Sequence, residues 1–221
     1  MVFNNMDILN IVKRLIDPFG VEKKKPAPVP RVKRQKVQGK VVAKELTGRD
    51  LKDYVYQSES LRHDYCPICH NTLTPIPPQN YMFRKRSGDV WVSYDGFYIV
   101  SEKFKQFCET QEYPNLIFTK IEKSSGFYFF TTNEIYKVDY ERSNVVFMRK
   151  RECCGNYDYI IHIPKYRSKD EALHTDDFIA RAEFYFGDGY KKGAVIYVGL
   201  KTVQMMQKYG LKGMWFGSVY E

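Results

Sequence analysis

Apolar positions near the start of the chain form one short periodic block. Ile8, Leu9, Ile11, Val12, Leu15, Ile16 and Phe19 recur at helical spacing, with Asp7, Asn10, Lys13, Arg14 and Asp17 between them, which predicts an amphipathic helix over 6–19. Pro18 limits its continuation. Pro26, Pro28 and Pro30 then alternate with other residues and favour an extended, solvated linker. From Val41 the pattern changes. Thr47 reads as the cap of a helix over 47–60, with Leu51, Tyr54, Val55 and Leu61 as its buried stripe. Val90-Trp91-Val92 and Phe97-Tyr98-Ile99-Val100 flank a Tyr94-Asp95-Gly96 turn and read as two strands. Ser101 caps a helix reaching about 111, with Phe104, Phe107 and Cys108 on one side. Strands are expected at 116–121, 126–132, 144–148 and 157–163, which are dense in Phe, Tyr and Val. A helix is expected over 177–185, then a strand at 194–198, a helix at 200–209 and a strand at 214–216.

The last of these segments repeats an earlier one. Segments 99–121 and 197–219 align without a gap, so that Val100 meets Val198, Lys103 meets Lys201, Gln106 meets Gln204 and Phe118 meets Phe216. Both copies read strand, helix, turn, strand. Neither unit buries its apolar side alone, so the two are expected to share one core. The expected fold is α+β: a mixed sheet built around two similar strand–helix–strand units, with a zinc knuckle. An N-terminal helix and basic proline-rich linker (1–41) precede this domain (42–221).

The chain carries 35 Lys and Arg against 26 Asp and Glu, a net charge of +9. This resembles a nucleic-acid signal until it is divided along the sequence. Residues 1–41 hold ten basic and three acidic residues, and 42–221 hold 25 and 23. The domain is therefore nearly neutral, which argues against nucleic acid as its partner, since such modules carry their charge on the folded face. The basic segment after the first helix is read chiefly as a soluble tether. For the helix itself, docking on the domain or a partner is the first reading and peripheral contact with an anionic membrane surface the second. No apolar run reaches the ~20 residues of a membrane-spanning helix, and charges interrupt the start of the chain where a secretory signal would be apolar. Five cysteines, two of them in a C-x-x-C, point to a reducing cytoplasm with thiols free or on metal.

Cys66-Pro67-Ile68-Cys69 is the sharpest local motif: two thiolates two residues apart hold one side of a structural zinc site, which needs two more nitrogen or sulfur ligands. Cys153 and Cys154 supply a second pair, and His63, His70 and His162 are reserves. Cys154 with a histidine and Cys154 with Cys153 remain equal alternatives. Cys108 sits on an inner helix face and reads as core. His174, Asp176 and Asp177 resemble an acid–base cluster, yet acids just before a helix are expected from capping alone. Gly187-Asp188-Gly189 lacks the Gly-Lys-Ser/Thr of a phosphate loop and reads as a turn. No catalytic constellation emerges, and the chain reads as a non-enzyme.

Val100, Ser101 and Phe104 form a V-S-x-x-F segment that resembles one in bacterial immunity proteins of polymorphic and contact-dependent toxin systems. The stretch Gly210-Leu211-Lys212-Gly213-Met214-Trp215-Phe216 is similar to the G-(I/L)-x-G-(apolar)-x-F close of the same family. The cysteine turns resemble those of its double C-x-x-C-G subgroup. The likeness covers 65–221, with two departures: His70 stands where the subgroup has glycine, and Arg151 where its second motif has the first cysteine. The resemblance implies a non-enzymatic cytoplasmic protein that binds and neutralises a cognate toxin protein. Such a protein needs exposed aromatic anchors, for which Trp91, Tyr94, Tyr98, Tyr185, Tyr190 and Trp215 are candidates. The competing reading is a zinc-ribbon nucleic-acid adaptor with a basic N-terminal arm.

Overall fold

The computed structural model describes residues 39–56, 64–84, 87–171, 176–189 and 191–221. The helix expected over 6–19, its linker up to 38, the end of the helix expected over 47–60 with Leu61, and His63, His174 and Tyr190 lie outside these residues. In chain order the elements are β1 (Val41–Asp50), β2 (Val90–Val92), β3 (Tyr98–Ser101), α1 (Glu102–Thr110), β4 (Leu116–Lys120), β5 (Phe127–Thr132), β6 (Val146–Lys150) and β7 (Tyr157–Ile161). They continue with β8 (Ile179–Arg181), β9 (Phe186–Asp188), β10 (Lys191–Gly193), β11 (Ile196–Gly199), α2 (Leu200–Lys208) and β12 (Met214–Tyr220). The described fold is thus mixed α+β and mostly sheet.

Eight strands form one mixed sheet in the order β4-β5-β3-β2-β1-β11-β8, with β12 also paired to β1. The β1–β2 contact, Arg49 opposite Trp91, is parallel, and the other paired strands of this sheet run antiparallel. A second, antiparallel sheet has the order β10-β9-β7-β6.

Two expected helices are corrected. Thr47 does not cap a helix: it lies within β1, and 51–56 are irregular. Here β1 pairs antiparallel with both β11 and β12, and two ladders of backbone hydrogen bonds outweigh one side-chain cap. The helix expected over 177–185 is replaced by β8 and the bend that leads to β9, because Ile179 and Ala180 pair with Val198 and Tyr197 of β11.

Strand alternation decides which layer each residue enters. Val100, Ile196 and Val198 face α1 and α2, packing with Phe104, Phe107, Val203 and Met206. Ala43, Tyr197 and Val219 face the other way, toward Ile160 and Phe186 of the second sheet. A third cluster gathers Leu51, Phe83, Trp91, Phe97 and Phe129 around β2, β3 and β5. Among the described residues no helix is long and apolar enough to cross a membrane. The second sheet, packed on the domain by this middle layer, carries the β6–β7 turn and with it half of the cysteine site.

Candidate metal centre

Two short turns bring the four cysteines together. In the first, Tyr65 and Thr72 form an isolated antiparallel bridge. Inside it the Cys66 amide donates to the Asn71 carbonyl at 2.8 Å and the His70 amide to the Cys66 carbonyl at 2.9 Å. The second turn joins β6 to β7 and repeats the pattern: Arg151 donates to the Asn156 carbonyl and Gly155 to the Arg151 carbonyl, each at 2.7 Å. Both turns close through a residue in the left-handed region, His70 at φ 58° and Gly155 at φ 72°. A histidine tolerates this conformation less well than glycine, at roughly 1–2 kcal/mol; the His70 ring packs against Tyr65 with centroids 5.4 Å apart.

Aligned by these bonds, Arg151 takes the place of Cys66, and Cys153 the place of Ile68. The guanidinium of Arg151 turns instead to Asp158, donating at 2.6 and 2.7 Å. The fourth thiol therefore comes from the tip of the second turn. The Sγ atoms of Cys66 and Cys153 are 3.8 Å apart, those of Cys69 and Cys154 3.6 Å, and all four lie within 4.8 Å of one another. These spacings exceed a disulfide bond of ~2.05 Å and match the edge of a tetrahedron with metal–sulfur bonds of ~2.3 Å, about 3.8 Å. The residues present fit a four-thiolate metal ion. Cys66 is buried, Cys69 and Cys154 are half-buried and Cys153 is exposed.

The electrostatics of the cluster favour a cation. The amides of Cys69 and Ile68 donate to the Cys66 sulfur and lower its thiol to about 7. Hydrogen bonding to Cys69, desolvation and the neighbouring Cys66 push Cys153 up to about 12, and burial together with Cys69 raises Cys154. Thiolates this close repel one another, and a bound divalent ion removes the conflict.

The other residues singled out from sequence do different work. His162 lies exposed just past β7 and His70 packs at a tilt against Tyr65, so neither belongs to the four-sulfur group. Cys108 is 1% exposed, and burial holds its thiol far above the ordinary range. Asp176 caps α2 through its main chain, its carbonyl accepting from the amides of Lys201 at 2.7 Å and Thr202 at 3.4 Å. Asp177 accepts from Tyr113, Thr202 and Lys201. Gly187 and Asp188 end β9, with Gly189 in the turn to β10. Among the aromatic candidates, Trp91 and Tyr98 are core residues, Tyr185 is half-buried, and Tyr94 and Trp215 are 50% and 55% exposed. Sequence reasoning missed the polar layer beneath the turns, the amide of Asn71 with the charged Asp158 and Lys192, which are all buried. In sequence Asp158 and Lys192 look like ordinary polar positions of half-buried strands.

Comparison of the chain with protein-family models and with curated proteins returns no match.

Proposed function

We propose that this protein is a non-enzymatic, cytoplasmic immunity-type protein that binds and neutralises a cognate toxin protein, with a structural zinc ion on Cys66, Cys69, Cys153 and Cys154. The observation that carries the binding role is an exposed aromatic pair, one member of which lies two residues before the lining of an apolar cavity. Tyr54 and Tyr94 meet edge to face with ring centroids 5.3 Å apart, and the Lys191 ammonium lies 5.0 Å from the Tyr54 ring. Gly96 and Phe97, just past Tyr94, line a cavity of about 190 Å³ together with Ile76, Ile117 and Tyr185. Ile76, part of that lining, is 49% exposed. Aromatic anchors next to an apolar pocket are the parts from which protein interfaces draw most of their affinity. A four-thiolate zinc site, with every ligand position filled by protein, is structural.

The same reading takes β3–α1–β4 and β11–α2–β12 as an internal duplication. It is supported by the aligned residues of the two segments and by a shared arrangement, in which β5 lies between β3 and β4 and β1 between β11 and β12.

The test is co-expression with the toxin encoded beside this protein. Wild type is expected to restore growth, and the double variant Tyr54→Ala/Tyr94→Ala to lose rescue while keeping its near-ultraviolet dichroism. Rescue that survives the double variant removes the proposed face. Catalytic turnover of a substrate by the purified protein removes the binding role itself.

A further inference from the structure

Beneath the two cysteine turns lies a cation that no ligand role explains. Lys192, on β10, is 2% exposed, a position where an ammonium is costly unless an opposite charge meets it. Its Nζ donates to the main-chain oxygen of Tyr157, three residues past Cys154, and lies 3.4 Å from Oδ1 of Asn71, two residues past Cys69. It thus sits between the two turns and bridges them. Both acceptors are neutral. The groups whose charge acts on Lys192 are Asp158, then Cys154, Cys69 and Asp188, of which the two thiols become anionic when they take up a metal. Asp158 is already supplied: it takes two hydrogen bonds from Arg151, one of 3.0 Å from Asn71 and an ion pair of 3.0 Å from Arg149. Asp188 is exposed to water. That leaves the cysteine sulfurs: four thiolates on one divalent ion carry a net charge of about −2, which Arg151 meets from the exposed side through Cys69 and Cys153 and Lys192 from the buried side, on the residues that follow Cys69 and Cys154.

We infer that Lys192 is the buried counter-ion of the metal–thiolate centre, a positioning residue that offsets one of its two excess charges while tying Tyr157 to Asn71. This rests on the zinc reading above. A partner in the outer shell of a metal site typically contributes 10- to 100-fold to metal affinity. Here the contribution is chiefly charge, so Lys192→Arg keeps it. Lys192→Gln keeps hydrogen-bonding capacity without the charge, and Lys192→Met supplies an apolar chain of similar length.

The experiment is competition for zinc between the full chain and a chromogenic chelator at one fixed pH, repeated with cobalt(II), whose thiolate charge-transfer absorption reports the same site. Wild type is expected to hold about one equivalent. Lys192→Gln and Lys192→Met are expected to bind roughly 10- to 100-fold more weakly, and Lys192→Arg within a few-fold of wild type. Far-ultraviolet dichroism at saturating zinc selects the variants that fold, and either uncharged variant alone suffices. Wild-type affinity in a folded uncharged variant overturns the proposal while leaving the zinc site standing. Equal weakening in the Arg variant also overturns it, because geometry rather than charge would then carry the effect. A wild-type protein that takes up neither metal fails the zinc reading itself.

Discussion

Two helix starts show how much one atom decides. The Ser101 side chain accepts from the Phe104 amide at 3.2 Å and donates to Asp89 at 2.7 Å, a side-chain cap that itself is held in place. Gly199, at the start of α2, has no side chain, and the carbonyl of Asp176 takes the cap's role from another part of the chain. A Cβ at Gly199 would lie 2.1 Å from that oxygen. Ser101→Ala is therefore expected to cost about 1–2 kcal/mol. Gly199→Ala should cost about 1–3 kcal/mol, because the added methyl must push away the Asp176 main chain just before β8. Urea denaturation of both variants checks this, and a neutral or stabilised Gly199→Ala contradicts the capping role of Asp176. The sequence announces the first cap and hides the second: Ser101 stands directly before its helix, whereas Asp176 reaches Gly199 only through the pairing of β8 with β11. The metal site divides the same way. The C-x-x-C is legible from spacing, but the replacement of a ligand by Arg151 makes sense only once its guanidinium is seen on Asp158, and Lys192 gives no signal.

At the scale of elements, legibility follows the reach of the forces. β2, β3, α1, β4, β5 and α2 are anticipated closely because apolar periodicity and a local turn or cap define each. β1 is not, since its partners β11 and β12 lie about 150 to 180 residues further along the chain, and no local pattern carries that information. The cysteine turn at 64–73 is the opposite extreme, held by one bridge, a few hydrogen bonds and its thiols. Metal bound there would be folding energy, added to the buried polar contacts of Asn71 and Thr72 that tie this irregular segment to the second sheet. Chelation is accordingly expected to release this segment first: hydrogen exchange at the amides of Cys66 and His70 should quicken, while those inside α1 and α2 stay protected. Exchange measured with and without chelator separates this from a global effect. If all amides accelerate together, the metal supports the whole domain, and if none do, it supports nothing.

For the whole molecule the distribution of charge separates the two partner classes. The described residues form one compact unit, and the near balance of 25 basic against 23 acidic residues over 42–221 leaves little excess to meet a phosphate backbone. Cations that do cluster are partly used internally: Arg149 and Arg151 pair with Asp158, with Lys192 buried beside them. Arg149 also lies 5.4 Å from the Tyr159 ring and Lys150 5.9 Å from that of Tyr157, the feature that most favours the nucleic-acid alternative. Salt decides between them. A protein neutralising six or more phosphates loses about 10³-fold or more in affinity between 50 and 200 mM salt, whereas an interface built on Tyr54, Tyr94 and an apolar cavity should change by only a few-fold over that range. Binding of toxin and of duplex DNA should be titrated at several salt concentrations, with the full chain and with a chain beginning at Lys36. The expected result is tight, salt-tolerant toxin binding by both chains, with any DNA affinity confined to the longer one, where the basic arm supplies the counter-charge. A steep salt slope for DNA that persists in the shorter chain would transfer the function to the alternative class, with β6 and the cysteine turns as its first candidates for mutation.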